Sequence, residues 1–507
     1  MKEKYIIGID QSTQGTKALL FNQEGKLIAR KDLAHKQIVN EKGWVSHNPE
    51  EIYKNTIQVV KGVIEESKID RSKLLCVGIS NQRETTVVWD RNNGKPLEDA
   101  IVWQCARAMD ICKKKEIHDQ AEVIKRKTGM HIAPYFPAAK IAWILENNKK
   151  AKELSEKGQI CHGTMDTWLV YKLTNGTSYY TDYSNASRTQ LFNIHTLEWE
   201  SEICDLFRIK KSNLPKVIDS NAKYGETTLD GFLEEPIPIQ CVMGDSHAAL
   251  FGQACFKTGM LKATYGTGSS IMMNVGVEPI ESKNGLSTSL AWSRDGIKNY
   301  VIEGNLNYTG AIISWLLNDL QLIKSPKETE ELSNRARKND SLYMVPAFTG
   351  LGAPYWDTHA KAAIVGMDRT TKKNEFVRAS VECIAYQIWD IIIAMQEDAK
   401  VDIKEIRVDG GPTKNQYLMQ FQSDLMEGRV CVSQSEELSG IGAAYMAGLT
   451  IGIWDESIFE NIQYNEYQGN MDKQVRNKKL KGWKKAVYGV IQEPEKEIRR
   501  EYKKKQN

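Results

Sequence analysis

The sequence predicts an α/β chain built as two similar halves with a cleft between them, and three observations lead there. The segment Tyr5-Ile-Ile-Gly-Ile-Asp10-Gln-Ser-Thr13-Gln-Gly15-Thr-Lys17-Ala-Leu-Leu-Phe21 is an apolar run, a small hydroxylated turn and a second apolar run. The same plan returns at Met260-Leu-Lys-Ala-Thr-Tyr265-Gly-Thr267-Gly-Ser-Ser270-Ile-Met-Met-Asn274, which reads as a second hairpin opening a second half. Strand and helix patterns alternate between the two, with no low-complexity linker, so the halves are expected to face each other rather than hang as beads. The expected division is 1–252 and 253–507, within the two to four domains that a chain of 507 residues allows at roughly 100–200 residues each.

In chain order, the first apolar run ends at Asp10 and the second begins after Gly15. Glu24-Gly25 turns the chain again, and a third strand over 27–31 completes a meander. Asn48-Pro49 is a helix start signal for the pattern over 48–66. A strand over 74–80 leads into Asn81-Gln82-Arg83-Glu84. In the second half, Ile406-Arg-Val-Asp409-Gly410-Gly411-Pro-Thr-Lys-Asn415 is a strand and turn, followed by a helix with Leu418, Phe421 and Leu425 on one face and Asn415 expected one turn in.

Composition narrows the classes. A 41% hydrophobic content excludes disorder, and no run approaches the roughly 18 apolar residues of a bilayer span. The short run from Tyr5 to Ile9, closed at once by Asp10, is no signal peptide. With 68 basic against 65 acidic residues, net +3, the chain lacks a nucleic-acid footprint. Its basic excess is local, over 473–505, and reads as a solvated C-terminal helix and tail. Nine scattered cysteines without a CxxC pair, and eight histidines in no ligand pair, argue for reduced thiols in the cytoplasm and against a disulfide framework or zinc site.

Four features carry chemistry. Ser12-Thr13-Gln14-Gly15-Thr16 and Thr264-Tyr265-Gly266-Thr267-Gly268 offer backbone N–H groups and hydroxyls suited to phosphate oxygens, and Lys17 adds a cation. Either turn alone would be an ordinary hairpin turn, and no Walker A, HRD or DFG sequence is present. Asp10, at the end of a buried strand, suits a divalent cation, and Asp245, between a strand and a helix, suits either an N-cap or a general base. Arg83 and Glu84 offer donors and acceptors for a polyhydroxy ligand, or simply a surface ion pair, while Trp103 and Tyr135 could wall an apolar face or sit in the core. Gly410-Gly411 could let a flat base lie against the backbone.

Together these segments resemble the FGGY family of carbohydrate kinases, most of all its glycerol-phosphorylating members. The likeness runs from Ile6 to about Trp454 and includes Asn81-Gln-Arg-Glu-Thr-Thr86, Thr181-Asp-Tyr-Ser-Asn-Ala-Ser-Arg188 and Val345-Pro-Ala-Phe-Thr-Gly-Leu-Gly-Ala-Pro-Tyr-Trp-Asp357. It implies two actin-like, ribonuclease-H-like domains with ATP in the cleft and Mg²⁺ facing Asp10. It implies that Thr13, Gln14, Gly15, Lys17 and Thr267 meet phosphates and that Gly310, Ser314, Gly411 and Asn415 hold the nucleoside. Arg83, Glu84, Trp103, Tyr135, Ser246 and Ser270 would line the polyol site, with Asp245 as substrate ligand and catalytic base. A homo-oligomer, dimer or tetramer, is expected.

The chain departs from the glycerol-specific pattern at Ser246, where Gln is usual, and at Ser270, where Phe is usual. Lys17 stands for Arg and Ser314 for Gln. The first two changes enlarge and wet the acceptor site, which points to a polyol longer than glycerol as a rival substrate. The Tyr265-Gly-Thr-Gly-Ser-Ser270 turn leans toward a xylulokinase-like ketose kinase, and the same fold also serves actin-like ATPase modules that phosphorylate no small acceptor. The Gly-rich segment used for sugar-bisphosphate inhibition is not recognisable near 229–236.

Overall fold

The computed structural model describes residues 3–337 and 341–491. The N-terminal half opens with the predicted meander: β1 (Tyr5–Gln11), β2 (Gly15–Asn22) and β3 (Leu27–Ala34), the last longer than its apolar run because its outer face is solvated. Helix α1 (Pro49–Ser67) begins where the Asn-Pro signal places it, with the Asn48 side chain accepting from the amides of Glu50 and Glu51. Strand β4 (Leu74–Asn81), helix α2 (Pro137–Asn147), β5 (Gly225–Thr227), β6 (Ile237–Gly244) and α3 (Asp245–Gly252) follow. The six-stranded sheet runs β5-β6-β4-β1-β2-β3, and β1 is antiparallel to β2 but parallel to β4.

The second half repeats this wiring. Strands β7 (Leu261–Tyr265), β8 (Ser269–Gly276), β9 (Ser287–Arg294) and β10 (Ile297–Leu306) are antiparallel neighbours or near neighbours. The long helix α4 (Lys373–Ala399), β11 (Glu405–Asp409), α5 (Gln416–Met426), β12 (Arg429–Ser433), α6 (Leu438–Thr450), β13 (Tyr464–Gln468) and α7 (Lys473–Tyr488) complete it. The seven-stranded order is β9-β10-β8-β7-β11-β12-β13. Antiparallel β10-β8-β7 followed by parallel β11 and β12 matches antiparallel β3-β2-β1 followed by parallel β4 and β6. The two hydroxylated turns therefore hold equivalent places in two α/β domains.

The halves meet through α3 and α6. Helix α6 lies between β12 and β13 of the second sheet in sequence but packs on the first: a Cβ on Gly8 would come within 2.6 Å of the Gly440 carbonyl oxygen, and one on Gly78 within 2.2 Å of that of Ala443. Glycine is required at these strand positions because a helix backbone rests directly on them. Phe21, Met243, Phe251, Trp292 and Tyr445 share one apolar cluster across this seam.

All nine cysteines are buried free thiols. Among the described residues no helix is long and apolar enough to cross a membrane. The basic C-terminal segment is helical over α7, but it is docked rather than merely solvated: Trp483 is buried and its indole donates to Asp390 at 2.8 Å. The rest of the basic tail lies outside the described residues.

Candidate active site

The first turn is built by its own atoms. The Ser12 amide and hydroxyl both donate to the Gly15 carbonyl (2.8 and 3.0 Å), which leaves Thr13 and the exposed Gln14 at the tip. Behind it, His35 Nδ1 lies 3.0 Å from Asn55 Nδ2, and Nε2 lies 3.0 Å from the Thr16 hydroxyl and 3.4 Å from Gln11 Nε2. Burial pushes the imidazole pKa down to about 4, so the ring is neutral. Lys17 points to the cleft, but its ammonium is held by Glu437 at 2.9 Å, just ahead of α6, and Arg30 bonds the other oxygen of that carboxylate at 2.5 Å.

The second turn is tied to the loops around it. Gly266 donates to the Gly268 carbonyl, and the amides of Thr309 and Ala311 both donate to the Thr267 carbonyl at 3.0 Å. Gly310 must lack a side chain, because a Cβ there would come within 2.6 Å of the Gly266 carbonyl oxygen, and Pro412 lies 3.6 Å from the same point. Gly410, at φ +101°, lies against the Tyr265 carbonyl, while a Cβ on Gly411 would meet nothing within 4 Å. The turn, Gly310, exposed Ser314 and exposed Gly411 thus border open space. Asn415 is not inside the following helix as its pattern predicts. It is the N-cap of α5, its oxygen accepting from Leu418 N and its amide donating to Thr329; three residues of 3-10 turn after Gly411 displace the helix start.

Asp10 is buried at the end of β1 and accepts one hydrogen bond, from Ser80 at 3.2 Å. Burial pushes its pKa up to about 6 against the pull of Lys17, and Asp245 and Glu437 push the same way. A buried, barely satisfied carboxyl in acidic surroundings fits a divalent cation. Among the described residues no cluster of three His, Cys, Asp or Glu could hold an ion by itself, so such a cation would need further ligands from its substrate and from water.

Between the turns runs a buried chain of charges. Glu303, in the middle of β10, takes two parallel bonds from Arg83 (3.0 and 3.2 Å) and lies 2.8 Å from Arg188 NH1. Arg188 Nε donates to Glu84 at 2.5 Å. Burial alone would raise the Glu303 carboxyl, but Arg188 and Arg83 hold it well below the usual carboxylate range. Arg83 Nε lies 3.2 Å from Asp245 Oδ1, an ion-pair contact without hydrogen-bond geometry. Asp245 is the first residue of α3, with Gly244 as the N-cap, and its side chain keeps 32% of its exposure while every other charge in the chain is nearly sealed. Its free oxygen therefore faces space an acceptor could enter. The Ser270 hydroxyl donates to Glu303 at 2.9 Å, linking the chain to the strand that leaves the Thr267 turn. Ser246, half-buried, sits beside Asp245.

Trp103 and Tyr135 pack on each other, with ring centroids 5.6 Å apart at 59°, and the Trp103 indole donates to the Thr13 hydroxyl at 2.9 Å. The aromatic wall is thus fastened to the first turn. Glu84 holds a left-handed backbone, φ +57°, strained for a residue with a Cβ. Sequence reasoning missed Glu303, Arg188, Glu437 and His35. A lone Glu inside the apolar strand Tyr-Val-Ile-Glu303-Gly was the one available signal, since a charge there must find partners.

Comparison with known proteins gives the family of this fold. The descriptions "FGGY family of carbohydrate kinases" N-terminal and C-terminal domain match residues 5–252 and 261–451. A glycerol kinase of Staphylococcus epidermidis is 43% identical over 488 residues, covering 96% of this chain and 98% of its own, and one of Thermoanaerobacter pseudethanolicus is 46% identical over 487, covering 96% and 98%. The crystal structure of Plasmodium falciparum glycerol kinase with ADP superposes with a TM-score of 0.91 at 35% identity, covering 97% of this chain and 99% of that one. With two domain descriptions spanning most of its length and relatives 43% and 46% identical over nearly their full length, the chain belongs to the FGGY family of carbohydrate kinases.

Proposed function

We propose that the chain transfers the γ-phosphoryl group of ATP to a terminal hydroxyl of glycerol. The observation that carries this reading is Asp245, an accessible carboxylate at the end of a sealed network of charges that leads through Arg83, Glu303 and Ser270 to the Thr267 turn. The relatives named glycerol kinase support the acceptor, and the ADP-bound relative supports the nucleotide.

Asp245 takes the acceptor's hydroxyl proton as its oxygen bonds to phosphorus; ADP leaves with the electrons of the broken P–O bond. Arg83 and Glu84, expected as hydroxyl ligands, are nearly sealed by Glu303 and Arg188 and instead hold Asp245 and the wall of the acceptor space in place, and Trp103 and Tyr135 pack on the carbon chain. Thr13, Gln14, Gly15, Lys17 and Thr267 receive the phosphates, and Gly310, Ser314, Gly411 and Asn415 border the nucleoside, Asn415 by shaping the loop. Asp10 would hold Mg²⁺, which supplies neutralisation of phosphate charge. The cleft between 1–252 and 253–507 excludes competing water when closed. A cytoplasmic, homo-oligomeric enzyme fits the free thiols and the family.

A second reading rests on Ser270. Its small side chain, with the hydroxyl on Glu303, leaves that side of the acceptor space polar and roomier, which suits a fourth or fifth hydroxylated carbon. A coupled assay of ADP release with glycerol, tetritols, pentitols and ketoses separates the two readings: glycerol preferred throughout rejects the longer acceptor. ATP hydrolysis with no phosphorylated product from any acceptor rejects both.

A further inference from the structure

Lys140, on the first turn of α2, is fully buried, yet among the described residues it lies in no ion pair with a carboxylate. Its ammonium donates instead to three backbone carbonyls: Tyr135 at 2.6 Å, Glu84 at 2.9 Å and Trp103 at 3.4 Å. An ammonium has three donors, and each is spent on a different segment of chain. These are the three segments that carry the aromatic pair beside the acceptor space and the sealed carboxylate that holds Arg188.

We propose that Lys140 is a positioning residue that fixes the geometry of the acceptor wall; this rests on the polyol reading above. A buried ammonium is costly, and a core position would take Met or Leu at less expense. What the charge does here is hold three loop carbonyls at one point. One of them belongs to Glu84, whose left-handed backbone needs outside support to persist. Another belongs to Trp103, whose indole is fastened to Thr13, so the clamp also sets the spacing between acceptor wall and first phosphate turn. Burial pushes the Lys140 pKa down to about 7, outweighing Glu84 and Cys105, which favour its charge, with Arg107 opposing it. The clamp is therefore complete below that pH and loses a donor above it.

The acceptor panel first identifies the substrate that the wild type turns over. Lys140→Met, close in length but without charge, is then compared on that substrate. The acceptor KM should rise about tenfold or more, since small misplacements of binding groups cost this much, while the KM for MgATP stays within about twofold. In the wild type, the acceptor KM should climb as pH passes from about 6 to 9, and the variant should lack that climb. An unchanged acceptor KM in a folded Lys140→Met overturns the inference alone, as does a parallel rise in both KM values. If the variant does not fold, by circular dichroism, the wild-type profile decides: a flat acceptor KM across that range overturns the clamp. Wild-type protein inactive toward every acceptor overturns the kinase reading and the inference with it.

Discussion

At residue scale, Asp245 and Glu303 are both carboxylates touching Arg83, yet their surroundings give them opposite work. Asp245 keeps a free, partly exposed oxygen, whereas Glu303 is sealed between two guanidinium groups. Asp245→Asn keeps the shape and removes the base, so kcat should fall about 10²–10⁴-fold with ATP affinity retained in a calorimetric titration. An unchanged kcat would take Asp245 out of the chemistry. Glu303→Gln leaves buried Arg83 and Arg188 without their shared counter-charge and should cost ~3–5 kcal/mol in a denaturant titration; a loss below ~1 kcal/mol would mean Glu84 and Asp245 suffice for the two arginines. The acids and bases of this network are visible in the sequence as types. Their partnership is not, because Arg83 and Glu303 lie 220 positions apart and no local spacing encodes such a pair.

At element scale, what is legible in the sequence is whatever depends on neighbouring residues. Both hydroxylated hairpins, the Asn-Pro start of α1 and the strand before Gly410 follow from apolar runs and turn residues, and they form within a few residues of where these signals put them. The seat of α6 on the opposite half is not legible, since Gly8 and Gly78 look like ordinary strand glycines until the helix is placed on them. Gly78→Ala drives a methyl toward the Ala443 carbonyl and should destabilise by ~1–3 kcal/mol, measured as a shift in the urea midpoint at constant slope; an unshifted midpoint would show the helix free to retreat. The first hairpin carries a second consequence. His35 is held neutral by burial with Nδ1 occupied by Asn55, so its folded pKa, about 4, lies below the unfolded 6.5. The unfolded chain takes up this proton first, and the stability His35 contributes is present above pH 6.5 and lost as pH falls toward 4. His35→Gln should make unfolding free energy less steep across that window than in wild type, and equal slopes would assign the acid sensitivity to the other buried histidines.

At the scale of the whole molecule, the question is what holds the two halves together before a nucleotide arrives. Near the acceptor, Glu303 from the second half grips Arg83 and Arg188 from the first, a contact too buried to break in each cycle. Near the phosphate turns the tie is lighter: Lys17 and Arg30 from the first hairpin share Glu437 from the entrance to α6, and Lys17 remains 28% exposed. The residue that would meet an incoming triphosphate is thus already paired, and phosphate must displace Glu437 to reach it. Exchange of one anion for another costs little Coulomb energy overall, but the carboxylate competes directly for the same ammonium. Glu437→Gln removes the competitor while keeping the volume, and ~1 kcal/mol for a pair exposed only on its Lys17 side corresponds to about fivefold tighter ATP binding. Titration of the ATP analogue AMP-PNP by calorimetry reads this without turnover. The gain should shrink with added salt, which screens the exposed Lys17 with or without its partner. Unchanged or weaker binding in Glu437→Gln would mean that Lys17 stays with the seam and that the two turns hold the phosphates by their amides and hydroxyls alone.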